Sequence, residues 1–268
     1  MTPVHEVLAA RAEILKLARL LGVPPERLAY LEEVPAADIR QLREQATDML
    51  FTAHDGALGR LAAASRLLPV GLVALIGERA FGPILAARIA GLLEPHRAVE
   101  IAGRLPTEFL ADVAVELDPR RAIDVIAGIP PEQIVEVSLE LTRRGEFVAM
   151  GRFVGHLPLT TLSAAVRALS DADVLRAAFV MEEKDRLDEL ADVLGEERLS
   201  RVIDAAEREG LWLEALDLLG HLGRERQAAL IEVARARLDD ARQAEIAELA
   251  REAGLLERPG PLRDLLVG

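Results

Sequence analysis

A unit of 12 residues repeats through the middle of this chain, and few folds can carry so short a period. With reference positions at Pro83, Pro95, Thr107, Pro119 and Pro131, the residue two before each is Phe81, Leu93, Leu105, Leu117 or Ile129. Three and four residues after them stand Ala86-Ala87, Ala98-Val99, Leu110-Ala111, Ala122-Ile123 and Ile134-Val135, and six after stand Ile89, Ile101, Val113, Val125 and Val137. On a helical wheel these offsets fill an apolar arc of roughly 160°. The opposite arc, centred on offset five, holds Arg88, Glu100, Asp112, Asp124 and Glu136, all charged.

Such a unit has room for a helix of about two turns and a tight corner. Helices that short are marginal in water alone and persist by stacking a broad apolar arc on their neighbours. The phase slips by four residues through Arg143-Arg144-Gly145-Glu146 and resumes at Phe147, Leu159 and Asp171. Eight units therefore share one register with one insertion. Proline begins several of them, where a missing N–H costs nothing, and Asp118 before Pro119 has the chemistry of an N-cap. Gly91, Gly103 and Gly155 share offset eight, where absent side chains would let backbones approach or would end a helix.

The flanking pattern is longer. Val4–Leu21 reads as an amphipathic helix ended by Gly22, a second follows from Glu26, and a long one runs from about Ala36 to Leu67. Beyond residue 183, helices near 184–194, 196–209, 211–222, 224–238 and 240–253 are punctuated by Gly195, Gly210, Gly223 and Gly254. Strand alternation and hairpin dipeptides are missing. The expectation is an all-α chain: a superhelical array, or α-solenoid, of short helices with a roughly 12-residue repeat. It is read as a single domain over 1–268, with longer helices in 1–66, the short-helix repeat in 67–195 and C-terminal helices in 196–268.

Composition narrows the chemistry. None of the 268 residues is cysteine, which excludes disulfides, cysteine zinc sites and thiol nucleophiles. The net charge is −13, with the acidic excess mainly in the last third, and only 3% of residues are aromatic. Nucleic acid is disfavoured as a partner on both counts. The amino terminus lacks a basic region followed by a continuous apolar run, so no signal peptide is read and a cytoplasmic location is expected. The most apolar stretch, 67–93, is interrupted by Pro69, Glu78, Arg79, Pro83 and Arg88. A spanning helix needs about 20 apolar residues, so no transmembrane segment is expected and the stretch reads as a pair of deeply buried helices.

The segments Leu105-Pro106-Thr107-Glu108, Leu117-Asp118-Pro119-Arg120-Arg121-Ala122 and Ile129-Pro130-Pro131-Glu132 make residues 67–195 resemble the amino-terminal cytosolic domain of MgtE-type magnesium transporters. More distantly, they resemble the helical repeats of the flagellar switch protein FliG. The resemblance implies a right-handed superhelix of short helices and a divalent-cation-responsive regulatory role. In the family, paired CBS modules and a membrane pore follow; these 268 residues hold neither.

No phosphate loop, nucleophile elbow, zinc-protease helix or EF-hand loop is present, so no catalytic residue and no cofactor is expected. His54-Asp55 is half of a metal-dependent phosphohydrolase signature, without identifiable further ligands. Asp185, Asp188, Glu189 and Asp192 share one helical face and carry the oxygen chemistry that hard cations prefer, or else form a solvated face opposite Leu187, Leu190 and Leu194. Around the insertion, Arg143, Arg144, Glu146, Arg152 and His156 would suit a carboxylate or phosphate, with Met150, Phe153 and Met181 as an apolar floor. The leading expectation is a non-enzymatic scaffold or adaptor that binds a protein. The second is a carrier or sensor holding an apolar or amphipathic small molecule between helices. A homodimer is compatible with either.

Overall fold

In the computed structural model, which describes residues 4–52 and 55–253, the chain is all-α, 82% helical and without strands among the described residues. Two helices open it, α1 (Val4–Leu21) and α2 (Ala36–Thr52), joined by a 3₁₀ turn at Pro25–Leu31 where a second helix was expected. The expected long helix to Leu67 is seen as α2 and α3 (Asp55–Ser65), on either side of the undescribed residues 53–54. Then come α4 (Val70–Ile76), α5 (Gly82–Ala90), α6 (Pro95–Ala102), α7 (Thr107–Glu116), α8 (Ile123–Gly128), α9 (Pro131–Arg143), α10 (Phe147–Phe153) and α11 (Leu159–Ala168). The last five are α12 (Asp171–Phe179), α13 (Leu187–Glu209), α14 (Trp212–Leu219), α15 (Arg224–Arg237) and α16 (Asp240–Glu252).

The reference positions of the repeat coincide with helix starts at Pro95, Thr107, Pro131, Phe147, Leu159 and Asp171, and α5 begins one residue before Pro83. At Pro119 the unit opens with a 3₁₀ turn, Pro119–Arg121, before α8. The Asp118 carboxylate accepts from the Arg120 backbone N–H at 3.1 Å there, the cap its position implied. The four inserted residues lengthen α9 by a turn, and Gly145, with φ +73°, reverses the chain into α10.

Two compact units emerge, Met1–Gln45 with Ser170–Gly268 and Ala46–Leu169. Within the second, helices pack on those two places further on: α3 on α5, α5 on α7, α7 on α9, α9 on α11, and in alternation α4 on α6 and α6 on α8. The apolar offsets supply this packing. Ala87, Ile89, Ala98, Ile101, Leu110, Val113, Val125 and Ile126 are buried, and Glu100, Asp124 and Glu136 at offset five are exposed. Gly91 is a true close approach, since a Cβ there would lie 2.9 Å from the Arg121 carbonyl oxygen; at Gly103 the nearest atoms would be its own helix at 3.6 Å.

The other unit repeats the alternation, with α12 on α14, α14 on α16 and α13 on α15. Its α13 is bent at Gly195, whose φ of +72° and ψ of 162° interrupt the helical path, as the punctuating glycine implied. A separate cluster of Ile14, Leu17, Ala18, Leu28 and Ile39 joins α1, the 3₁₀ turn and α2.

The burial expected of the most apolar stretch is not found. The 67–93 stretch is not deeply buried: between Val70 and Ala90 only 11% of the apolar window is buried. Leu72 and Leu75 on α4 are 43% and 42% exposed and Ile84 on α5 is 57% exposed, while Ala74, Ala87 and Ile89 carry the contact. The reason is topological. α4 heads its stack within this unit, its main packing being forward, on α6 and on the following π turn, Gly77–Phe81. At Gly82 φ is +70° and ψ 175°, which redirects the chain between the π turn and α5.

Candidate functional site

The arginines around the insertion are held by their own fold. Arg144 pairs with Glu140 at 2.6 Å and Asp112 at 2.5 Å and donates to the Glu108 carbonyl at 3.2 Å, tying α9 to α7. Arg143 pairs with the same Glu140 at 2.6 Å. Hydrogen bonds from both guanidiniums hold the Glu140 carboxyl at a pKa of about 2. Arg152 donates to the Val115 and Leu117 carbonyls at 2.9 and 3.0 Å, closing the C-terminal end of α7. Met150 is buried, with its sulfur 3.5 Å from the Thr142 hydroxyl, while Glu146 caps α10 by position and Phe153 and His156 are half-buried. These residues join α7, α9 and α10; the three arginines point at carbonyls and carboxylates of the chain.

The same device recurs elsewhere. Arg97 donates to the carbonyls of Ser65 and Leu68 at the end of α3, and Gln133 donates to Ala102 at 2.9 Å at the end of α6. Short helices expose many terminal carbonyls per residue. Long polar side chains from later units satisfy them.

Of the acidic row, the three residues on α13 are likewise engaged. Asp188 accepts from the Gly223 N–H at 3.1 Å and pairs with Arg226 at 3.4 Å, and Asp192 also pairs with Arg226, so both secure the N-terminus of α15. Asp185 is exposed in the 3₁₀ turn Lys184–Arg186, and Glu189 pairs with Arg186. Among the described residues no three of His, Asp and Glu come together as a metal site. Residue 54 of the His54-Asp55 pair lies outside the described residues, as does the side chain of Asp55.

Sequence reasoning missed a buried charge cluster in the first unit. Glu13 and Lys16, 2% and 3% exposed, pair at 2.8 Å; Glu13 also receives Arg43 and Arg40 at 3.2 Å, and Arg43 reaches Glu182 at 2.9 Å. Burial pulls the Glu13 carboxyl upward, but Lys16, Arg43 and Arg40 outweigh it and hold it below the usual range. Burial lowers Lys16, and Glu13 only partly offsets this. The available signal was Lys16 itself, one of two lysines in the chain, set between Ile14 and Leu17 on the apolar side of α1.

Also unanticipated is an apolar cavity of about 140 Å³ between α12, both limbs of α13, α14, α15 and α16. Leucine, isoleucine, valine and alanine make nearly all of its wall, with the Trp212 ring; Arg235 and Gln243 are the polar exceptions. The Trp212 indole N–H donates to Glu207 Oε2 at 2.6 Å and the Gln243 amide to the Arg235 and Leu238 carbonyls at 3.1 and 2.8 Å, so both polar groups are engaged within the protein. That indole and the Arg242 guanidinium keep the Glu207 carboxyl below its ordinary pKa, against a weaker pull from burial. Leu187, Leu190 and Leu194, opposite the acidic row, line this space.

Two apolar features therefore stand out: the cavity and the exposed apolar side chains of α4 and of the start of α5. No protein family, curated protein or solved structure matches this chain.

Proposed function

We propose that this chain is a non-enzymatic α-solenoid scaffold, working in the cytoplasm, that binds another protein through the apolar face presented by α4 and the start of α5. The observation that carries the reading is the exposure of Leu72 and Leu75 on α4, with Ile84 on the following helix α5. Repeat proteins need a polar outer face on terminal units to stay soluble, and an exposed apolar patch of this kind marks an interaction surface. A helical partner offering its own apolar stripe would continue the alternation α4–α6–α8 by one layer. Lipid fits less well: the backbone departs from a helix at Gly82, and irregular backbone at membrane depth is tolerated only where protein or a water-filled cavity covers it.

The double variant Leu72→Glu/Leu75→Glu tests this. The reading expects co-purifying partner to be lost while the unfolding free energy stays within about 0.5 kcal/mol, as for other exposed substitutions. Retained partner overturns it.

A second reading, the carrier or sensor of an apolar small molecule, is favoured by the cavity among α12–α16. A divalent-cation response, which the MgtE resemblance implies, would need carboxylates other than Asp188 and Asp192, which Arg226 engages.

A further inference from the structure

Resting on the carrier reading, we propose that the cavity among α12–α16 binds a hydrocarbon group of about six to eight carbons, with any polar head left outside at Arg235. The size follows from the volume. A cavity of ~150 Å³ lined by leucine, isoleucine and phenylalanine stays dry and accepts benzene, and this one measures about 140 Å³ with a similar wall. The chemistry follows from what the wall withholds. The Trp212 N–H and the Gln243 amide are spent on Glu207 and on backbone carbonyls, so a polar group carried inside would lose its water hydrogen bonds without replacement. Arg235, the charged residue in the lining, is partly exposed and pairs with Glu232 at 3.5 Å, so its charge is within reach of solvent.

The space is built rather than left over. Ala178, Ala191, Ala215 and Ala234 line it, and a larger apolar side chain at these positions would take up its volume. Polar ties link the helices around it: Arg226 joins α15 to Asp192 on the first limb of α13, Arg237 joins α15 to Asp204 at 2.5 Å on the second limb, and Arg242 joins α16 to Glu207 at 2.9 Å. The bend at Gly195 sets the two limbs of α13 at an angle, with Leu190 and Leu199 on either side of it facing the same space.

Trp212 is the chain's one tryptophan and lies in the wall, so its emission reports occupancy. The full chain is titrated with benzene, n-hexane and sodium octanoate. The proposal expects a saturable, single-site change with at least one of them, weakened at least tenfold by Ala191→Leu and separately by Ala215→Leu, each checked for native helicity. Octanoate binding that weakens in Arg235→Gln identifies an amphiphile's tail; binding of benzene or hexane without octanoate identifies a free hydrocarbon. No saturable change with any probe, or filled variants that bind as the parent does, overturns the proposal. Native mass spectrometry of protein purified from its cells separates the two levels: a saturating titration with no retained compound keeps the site and removes the carrier reading.

Discussion

Removing the Glu13 carboxylate should be among the most damaging single changes available in the first unit. Glu13→Ala leaves Lys16, 3% exposed, and the buried Arg43 without their shared partner. Breaking a buried ion pair by deleting one side typically costs about 3–5 kcal/mol. Lys16 has one escape, loss of its proton. From an ordinary pKa of 10.5, neutralising it at pH 7 costs about 5 kcal/mol at 1.4 kcal/mol per unit, which sets a ceiling on its share of the damage. Urea unfolding followed by Trp212 emission reads the right transition, because Trp212 lies in the same unit as α1. The expected loss is 3–5 kcal/mol by the same rule, and Glu13→Ala/Lys16→Met should recover a large part of it. The pH dependence has a defined sign. The Glu13 contribution is complete at neutral pH and fades as pH falls from about 4.5 through its depressed folded-state pKa. The penalty on charged Lys16 fades as pH rises toward 10.5, so the pair makes stability increase with pH at both ends. A Glu13→Ala loss under 1 kcal/mol would refute the reasoning.

Gly91→Ala places a Cβ 2.9 Å from the Arg121 carbonyl oxygen and should cost about 1–3 kcal/mol in thermal unfolding through overpacking. Gly103→Ala, with ordinary contacts, should be neutral or stabilising by about 0.4–1 kcal/mol. Arg152→Ala strips the Val115 and Leu117 carbonyls of a charged donor and should lower stability by about 1.5–3 kcal/mol, read by the same melt. An NMR titration of the Glu140 side-chain carboxyl should give a midpoint at about 2, returning to the ordinary range in Arg143→Ala/Arg144→Ala.

The repeat was legible because short helices declare themselves twice, through an apolar arc and through the proline or acidic residue that opens each. Asp118 and Gly195 were readable for the same reason, since a cap and a left-handed glycine are local requirements. What a side chain at a helix end reaches is not local. Arg144 and Arg152 could be singled out from sequence, but that they reach the carbonyls of α7, more than 30 residues away, could not. Leu72 and Leu75 carry the same hydropathy as buried leucines, and their exposure follows from α4 standing first in its stack. The cavity was illegible for a related reason: leucine and alanine at helical spacing specify that a face is apolar, whereas how completely facing helices fill the space depends on their separation.

The central claim, that the α4 face is a working surface, is tested most directly by site-specific photocrosslinking in cells. A photoreactive residue at Leu75 is compared with one at Glu225, which lies on exposed polar surface. The account predicts a discrete protein adduct from Leu75, none from Glu225, and loss of the adduct when Leu72→Glu is added. Equal adducts from the two positions, or none from Leu75, would contradict it.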